Sequence, residues 1–299
     1  MLPDFVARLP GNALIALAAA ASWGGGDFSG GMGAKTAGGA TRGALRVIVL
    51  AHAVSLVVLL AIAYLHHDSL LHGAPVAWAL GAGVAAGLSL TAFYVALASG
   101  DMGASAAISG LLAAAIPVAI SFLIEGRPGR LQALGFVLAG VAIWIIAAAP
   151  SHLGGNPPSR RIMGLAILGG VGFGIYFAAL RMANPLGAVE PVTLARIGSL
   201  FVCLVLLLVV SRKTTPAGGP WLNRTAVGWA LGVAVLDTGG NLLFVTATRW
   251  GRLDVAAVLA SLYPASTILL AAWKLHERPT PRQLVGMGLA LAAVVMITL

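Results

Sequence analysis

The chain has 299 residues, of which 59% are hydrophobic and 9% charged, with a mean hydropathy of +0.97. A soluble domain carries roughly 25% charged residues, so this composition excludes a water-facing globule and indicates a polytopic membrane protein. The net charge of +9 is scattered as single or paired basic residues between apolar runs, which points to membrane topology and not to a nucleic-acid-binding tract.

A membrane-spanning helix needs about 20 mainly apolar residues. Ten runs qualify: 11–31, 43–65, 75–98, 102–124, 130–149, 162–182, 189–211, 225–249, 254–275 and 280–299. The first is long, lacks a strongly basic start and is followed by more spans, so it is not read as a cleaved signal. The one cysteine, Cys203, lies inside an apolar run, which excludes an intramolecular disulfide and a cysteine metal cluster. The longest polar interruption runs from Pro150 to Arg161 at mid-chain. It separates residues 1–150 from 151–299, with five spans on each side.

One stretch occurs twice. Arg127-Pro128-Gly129-Arg130-Leu131-Gln132-Ala133-Leu134-Gly135 and Arg278-Pro279-Thr280-Pro281-Arg282-Gln283-Leu284-Val285-Gly286 both spell R-P-x-x-x-Q-x-x-G, 151 residues apart. A repeat at half the chain length indicates two copies of one unit. An odd number of spans per copy makes the second enter the membrane in the opposite sense. The expected fold is therefore all-α, with ten transmembrane helices as two inverted five-helix repeats and a site at their interface near mid-membrane.

Ionisable groups within spans point to that site, because burying one costs ~2.5–3.5 kcal/mol. Asp27 follows Trp23-Gly24-Gly25-Gly26, where the glycines allow close approach of a backbone or ligand. It is either a site carboxylate for a cation or proton, or a structural partner of Arg46. Asp237 lies near the centre of span eight with Asn241 one turn on, on the same face. That pair suits a polar substrate or a proton relay, against a simple interhelical clamp. Trp23, Tyr94, Tyr176 and Tyr263 lie within spans and can wall a small-molecule pocket, although packing is the ordinary fate of any one aromatic. Trp78, Trp221 and Trp273 sit near span ends as interface anchors.

Pro117 and Pro264 interrupt spans four and nine, as gates or as fixed kinks. Arg46 and Arg196 lie just inside apolar runs, to bind a carboxylate or to snorkel and pair. Glu125 and Glu277 stand beside basic residues at helix ends and read as staples. Some patterns mislead. Gly30-Gly31-Met32-Gly33-Ala34-Lys35-Thr36 lacks the Gly-Lys-Ser/Thr ending of a phosphate loop. His66, His67 and His72 fall in a short interfacial loop, and no metal or other cofactor is expected.

Trp23-Gly24, Arg46, Leu262-Tyr263-Pro264, His276-Glu277-Arg278-Pro279 and Gln283-x-x-Gly286 resemble the EamA family of the drug/metabolite transporter superfamily, with Arg196 matching Arg46 at an offset of 150. The first copy departs from the second: its glutamate is shifted one place relative to Glu277, and Pro117 lies four residues from the position matching Pro264. The resemblance implies export or exchange of small metabolites by alternating access across the cell (inner) membrane, without enzymatic activity. Protons are a candidate coupling ion, and nucleic acid is not an expected partner.

The resemblance also implies cytoplasmic termini. Counting Lys and Arg gives 6 on the terminal side and 11 on the other, which by itself puts the termini outside. A membrane enzyme acting on a lipid is the alternative, but no acid/base set or metal site is seen. A non-transporting scaffold is a third reading, and an unpaired mid-membrane Asp237 argues against it.

Overall fold

The computed structural model describes residues 11–38, 40–66, 73–99, 102–147, 159–212, 221–275 and 280–299. Among them there is no strand. The α-helices are α1 (Gly11–Thr36), α2 (Ala40–His66), α3 (Ala74–Ser99), α4 (Met102–Ile124), α5 (Arg130–Ala147), α6 (Arg160–Met182), α7 (Glu190–Arg212), α8 (Arg224–Trp250), α9 (Leu253–Ala260), α10 (Tyr263–Leu275) and α11 (Pro281–Thr298). The ten expected runs all appear as helix, the ninth broken into α9 and α10. Eight segments among the described residues are long and apolar enough to cross a membrane. α5 is shorter, and α1 is diluted by its glycines, Asp27 and Lys35, so neither is in that set.

Polar residues just before the apolar runs start the helices. The Ser159 side chain accepts from Ile162 N at 3.4 Å to open α6, and Asn223 accepts from Ala226 N at 2.7 Å to open α8. The repeated glutamine does the same work in both copies. Gln132 Oε1 accepts from Gly129 N at 3.2 Å, and Gln283 Oε1 accepts from Thr280 N at 2.8 Å in a full capping box.

Helices pack as α1 on α8, α3 on α6, α2 on α7 and α8, α3 on α7, α4 on α6, and α5 on α11, while α9 and α10 lie against α1 and α4. Small residues set these distances. A Cβ on Gly83 of α3 would collide with the Ala195 carbonyl of α7, and one on Gly198 of α7 with the Leu80 carbonyl of α3. The repeated glycines also pack crosswise: Gly135 of α5 faces Ile297 of α11, and Gly286 of α11 faces Ile146 of α5. Lipid offers helices no hydrophobic reason to associate, so such close approach supplies the van der Waals contact that holds them. Trp78, Trp221 and Trp273 are exposed near helix ends, as interface anchors are.

The two prolines differ. Pro117 sits inside a continuous α4, whereas Pro264 is the second residue of α10, just after the break at Ser261-Leu262. Proline at a helix start needs no N–H partner, so Pro264 restarts a helix and does not bend one.

Gly83→Val should lower the unfolding midpoint in detergent by the equivalent of about 1–3 kcal/mol, because α3 and α7 must separate. Gly81, on the same helix with nothing within 4 Å of its Cβ position, is the control, and Gly81→Ala should leave the midpoint unchanged.

Candidate functional site

α1 and α8 touch backbone to backbone at mid-length. A Cβ on Gly26 would lie 3.3 Å from Asp237 N, and one on Gly240 would run into the Trp23 ring at 2.6 Å. Gly24 lies equally close to α10, 2.7 Å from the Tyr263 carbonyl by the same construction, and Thr267 Oγ1 donates to Gly24 O at 3.3 Å. The glycine run thus brings the middle of α1 against two helices of the second half and places Asp27 beside that contact.

The product is a cavity lined by Trp23, Asp27, Ala86, Leu90, Phe173, Tyr176, Phe177, Arg196, Asp237, Asn241 and Tyr263. Its free volume of about 30 Å³ leaves room for a water or two. One wall, from α1, α7 and α8, carries Asp27, Arg196, Asp237 and Asn241. The other, from α3 and α6, is apolar and aromatic. Trp23 stacks on Phe177 with centroids 4.9 Å apart, and Phe244 packs on both rings.

Arg196 is the largest fully buried side chain. Its Nη2 donates to Asp237 Oδ2 at 2.5 Å and to Thr238 Oγ1 at 3.3 Å, and its Nη1 meets His52 Nε2 at 3.1 Å. A guanidinium only donates, so His52 Nε2 accepts and Nδ1 carries the proton, donating to Ser199 Oγ at 2.9 Å. His52 is therefore neutral here. Thr238 passes its own proton to Ser55 Oγ at 2.7 Å. Tyr176 donates to Asn241 Oδ1 at 2.6 Å, and Asn241 Nδ2 donates to the Asp237 carbonyl at 2.6 Å.

Two expectations about the acids need correction. Asp237 is not unpaired, because Arg196 reaches it from 41 residues away in sequence. Asp27 is not the partner of Arg46: Arg46 Nη1 donates to the Trp221 carbonyl at 2.9 Å at the end of the bundle. Asp27 is 7% exposed and makes no hydrogen bond or ion pair among the described residues. Of the aromatics expected in the pocket, Trp23, Tyr176 and Tyr263 line it. Tyr94 stands behind it with its ring against Gly30. Arg196, expected to bind a carboxylate or to snorkel and pair, lines the cavity and pairs with Asp237. Pro117 and Pro264 are not among the lining residues, and Glu277 lies outside the described residues.

The sequence reading missed His52, Phe173 and Phe177. His52 had a signal, since it is an ionisable group in the middle of the apolar run 43–65, the same cue that marked Asp237. The phenylalanines had none, being ordinary members of an apolar helix.

A second polar cluster ties the ends of α4, α6 and α9. Glu125 accepts from Arg181 Nη2 at 2.8 Å, from Ser121 Oγ at 2.6 Å and from Leu253 N at 2.9 Å, where it caps α9. Arg252 donates to the carbonyls of Glu125 and Gly126 at 3.1 and 2.9 Å and pairs with Asp254 at 2.7 Å. Glu125 is thus the staple its position suggested. The opposite end is joined by Arg46 to Trp221 O, by Arg42 to Ser211 and by Asn223 to Thr36 O.

Residues 160–299 match the model of the EamA-like transporter family. Among curated proteins, none matches this chain. A protein known from a crystal structure superposes with a TM-score of 0.70 at 16% sequence identity, over 96% of each chain, which shows a shared fold.

Removing one member of a buried ion pair costs about 3–5 kcal/mol, because the other charge is left uncompensated. Arg196→Met and Asp237→Leu should each destabilise by that order in detergent, and the double variant should recover most of the loss. If the double variant is as unstable as the sum of the singles, the pair is not what couples α7 to α8. Glu125 supplies a pH test. Burial pushes its carboxyl up, but donors from Ser121, Leu253 N–H and Arg181 outweigh this and hold it below the ordinary 4.5. A depressed folded value means the stabilisation is complete above about pH 4.5 and lost as pH falls through that lower value. Glu125→Gln should therefore melt lower than the parent at pH 7, with the gap closing in acid.

Proposed function

From the membership of residues 160–299 in the EamA-like transporter family, we propose that this multi-pass membrane protein is a secondary transporter. It exports or exchanges small amphiphilic metabolites, amino acids or related compounds, across the inner membrane by alternating access. The observation that carries this reading is the cavity at mid-bundle, lined by residues of both halves of the chain, with one polar and one aromatic wall. Few polar groups set in an apolar hollow describe a small-molecule site. Asp27, Asp237 and Asn241 supply the polarity, and Trp23, Tyr176 and Tyr263 the surface against which an apolar body rests, with Tyr94 supporting α1 from behind.

The architecture we propose is two five-span halves of opposite orientation. Helix pairing supports it. Replacing each span by the one five places along turns α1–α8 into α6–α3 and α2–α8 into α7–α3, and leaves α2–α7 and α5–α11 unchanged. The crosswise Gly135–Ile297 and Gly286–Ile146 contacts have the reciprocity of a two-fold axis. Ties at both ends, with a hollow between them too small for a metabolite, fit a state closed to both sides. Breaking one set and keeping the other would open one side at a time, as rocking halves require. The broken span at Ser261-Leu262 gives that motion a natural hinge. We place both termini in the cytoplasm, following the resemblance.

The test is flux. Purified protein in proteoliposomes should exchange labelled amino acids and aromatic amines saturably. A flexible bismaleimide joining Ile124→Cys to Trp250→Cys, both exposed on the pocket at one end of the bundle, should stop that flux by tying α4 to α8. Wild-type protein that moves no compound faster than protein-free vesicles would remove the transporter reading, and flux untouched by the bridge would remove alternating access.

A further inference from the structure

We propose that Asp27 is an exchange site, occupied in turn by a proton and by the ammonium group of a substrate with an apolar, aromatic-sized body, each displacing the other. The direction of exchange rests on the transporter reading. The binding does not.

The argument begins with a charge inventory of the cavity. It holds two carboxylates, Asp27 and Asp237, and one guanidinium, Arg196. The guanidinium is engaged by Asp237 at 2.5 Å, and His52 beside it is neutral because it accepts from Arg196. One carboxylate therefore has no counter-charge. Every element packed on α1 agrees. α8 offers Asp237, already paired. α10 offers the Tyr263 phenol and α3 the Tyr94 phenol. α2 offers Arg46, held at the bundle end by the Trp221 carbonyl, and His52, turned to Arg196 and Ser199. α9 offers Asp254, held by Arg252. None brings a cation to Asp27.

Two further observations point to a ligand. The phenol oxygen of Tyr94 is buried without a hydrogen-bond partner, and both it and the Tyr263 phenol, which has Ser109 beside it, lie within electrostatic reach of Asp27. A buried hydroxyl left idle beside an unpartnered carboxylate, its oxygen free to accept from an ammonium, belongs to a site that is incomplete when empty. Across the cavity stand Phe173, Tyr176 and Phe177, with Trp23 at the edge. Aromatic faces attract a cation and bury its apolar body. The opposite charge finds no such place: the one arginine is neutralised, so a lone anion meets only Asp27.

A bare carboxylate this deeply buried is costly, so it takes up a cation of one kind or the other. When R–NH3+ enters, the proton on Asp27 leaves to water and the carboxylate pairs with the ammonium. One positive charge replaces one positive charge, so the cavity's net charge is the same in both states. Asp237 takes no part, because Arg196 occupies it throughout.

The probe is 2-phenylethylamine, with 2-phenylethanol and 3-phenylpropionate as neutral and anionic counterparts of the same body. Detergent-solubilised full-length protein should bind the amine best and release about one proton per molecule into weakly buffered solution. In the acid limb its affinity should fall about tenfold per pH unit, the mass-action slope for one competing proton. Asp27→Asn should lose the amine preference and the proton release, and Asp27→Glu should restore both. If Asp27→Asn does not fold, the wild-type proton count and the Glu variant still decide. Amine bound no better than alcohol by the wild type, or proton release that persists in Asp27→Asn, overturns the inference. Amine binding with proton release but without flux in proteoliposomes sinks the transporter reading alone. Saturable flux that shows no preference for the amine sinks this inference alone.

Discussion

The centre of this bundle holds two carboxylates and one guanidinium, and the guanidinium is committed to one of them. Arg196 reaches from α7 to Asp237 on α8 and holds His52 on α2 through its other nitrogen. Three helices from both halves of the chain are thereby tied at mid-length, where there is room for little water to take over the hydrogen bonds. Thr238 takes a second bond from the same guanidinium and passes the chain on to Ser55, and His52 is held in turn by Ser199, while Arg196 Nε is left buried without a partner. The same commitment leaves Asp27 alone. The chemistry of the cavity follows from that imbalance more than from any single residue type.

The second constraint is distance. Charges can meet in this way only if the helices come close, and glycine is what lets them. Gly24 and Gly26 bring α1 against α10 and α8, Gly240 admits the Trp23 ring, and Gly83 with Gly198 joins α3 to α7. The cavity is small because this packing is tight, and it is central because the glycines cluster near mid-helix on α1 and α8. α3 and α6 also pack closely, but they bring Leu90, Phe173 and Phe177 to the cavity, whereas α1 and α8 bring Asp27 and Asp237. This difference in polarity between the helix pairs gives a hollow with one polar wall and one apolar wall, suited to an amphiphile.

The end ties and the central pair differ in kind. Glu125, Arg181 and Arg252 are part-exposed, so solvent competes for them and their bonds can be exchanged at modest cost. The Arg196 pair differs in its cation, whose side chain is 2% exposed against 29% for Arg181 and Arg252. The ties are thus weaker outside and stronger inside, which is the distribution that the alternating access proposed above would need.

The sequence alone determined what depends on local chemistry. Hydropathy placed the helices, because about 20 apolar residues in a row have no other stable state in lipid. Ser159, Asn223 and Thr280-Gln283 marked helix starts, since capping needs only neighbours in the chain. Trp23, Asp27, Asp237 and Asn241 could be singled out because a polar group inside an apolar run stands out against its background. Which acid had a partner was not legible, since Arg196 and His52 come to Asp237 from other helices and pairing across 41 or more residues leaves no local trace. Nor could Phe173 and Phe177 be told from other apolar residues, because facing a cavity and facing lipid have the same hydropathy. The tertiary structure decided those things, because they are properties of which faces meet, and that is set by packing between helices and not by the order of residues within one.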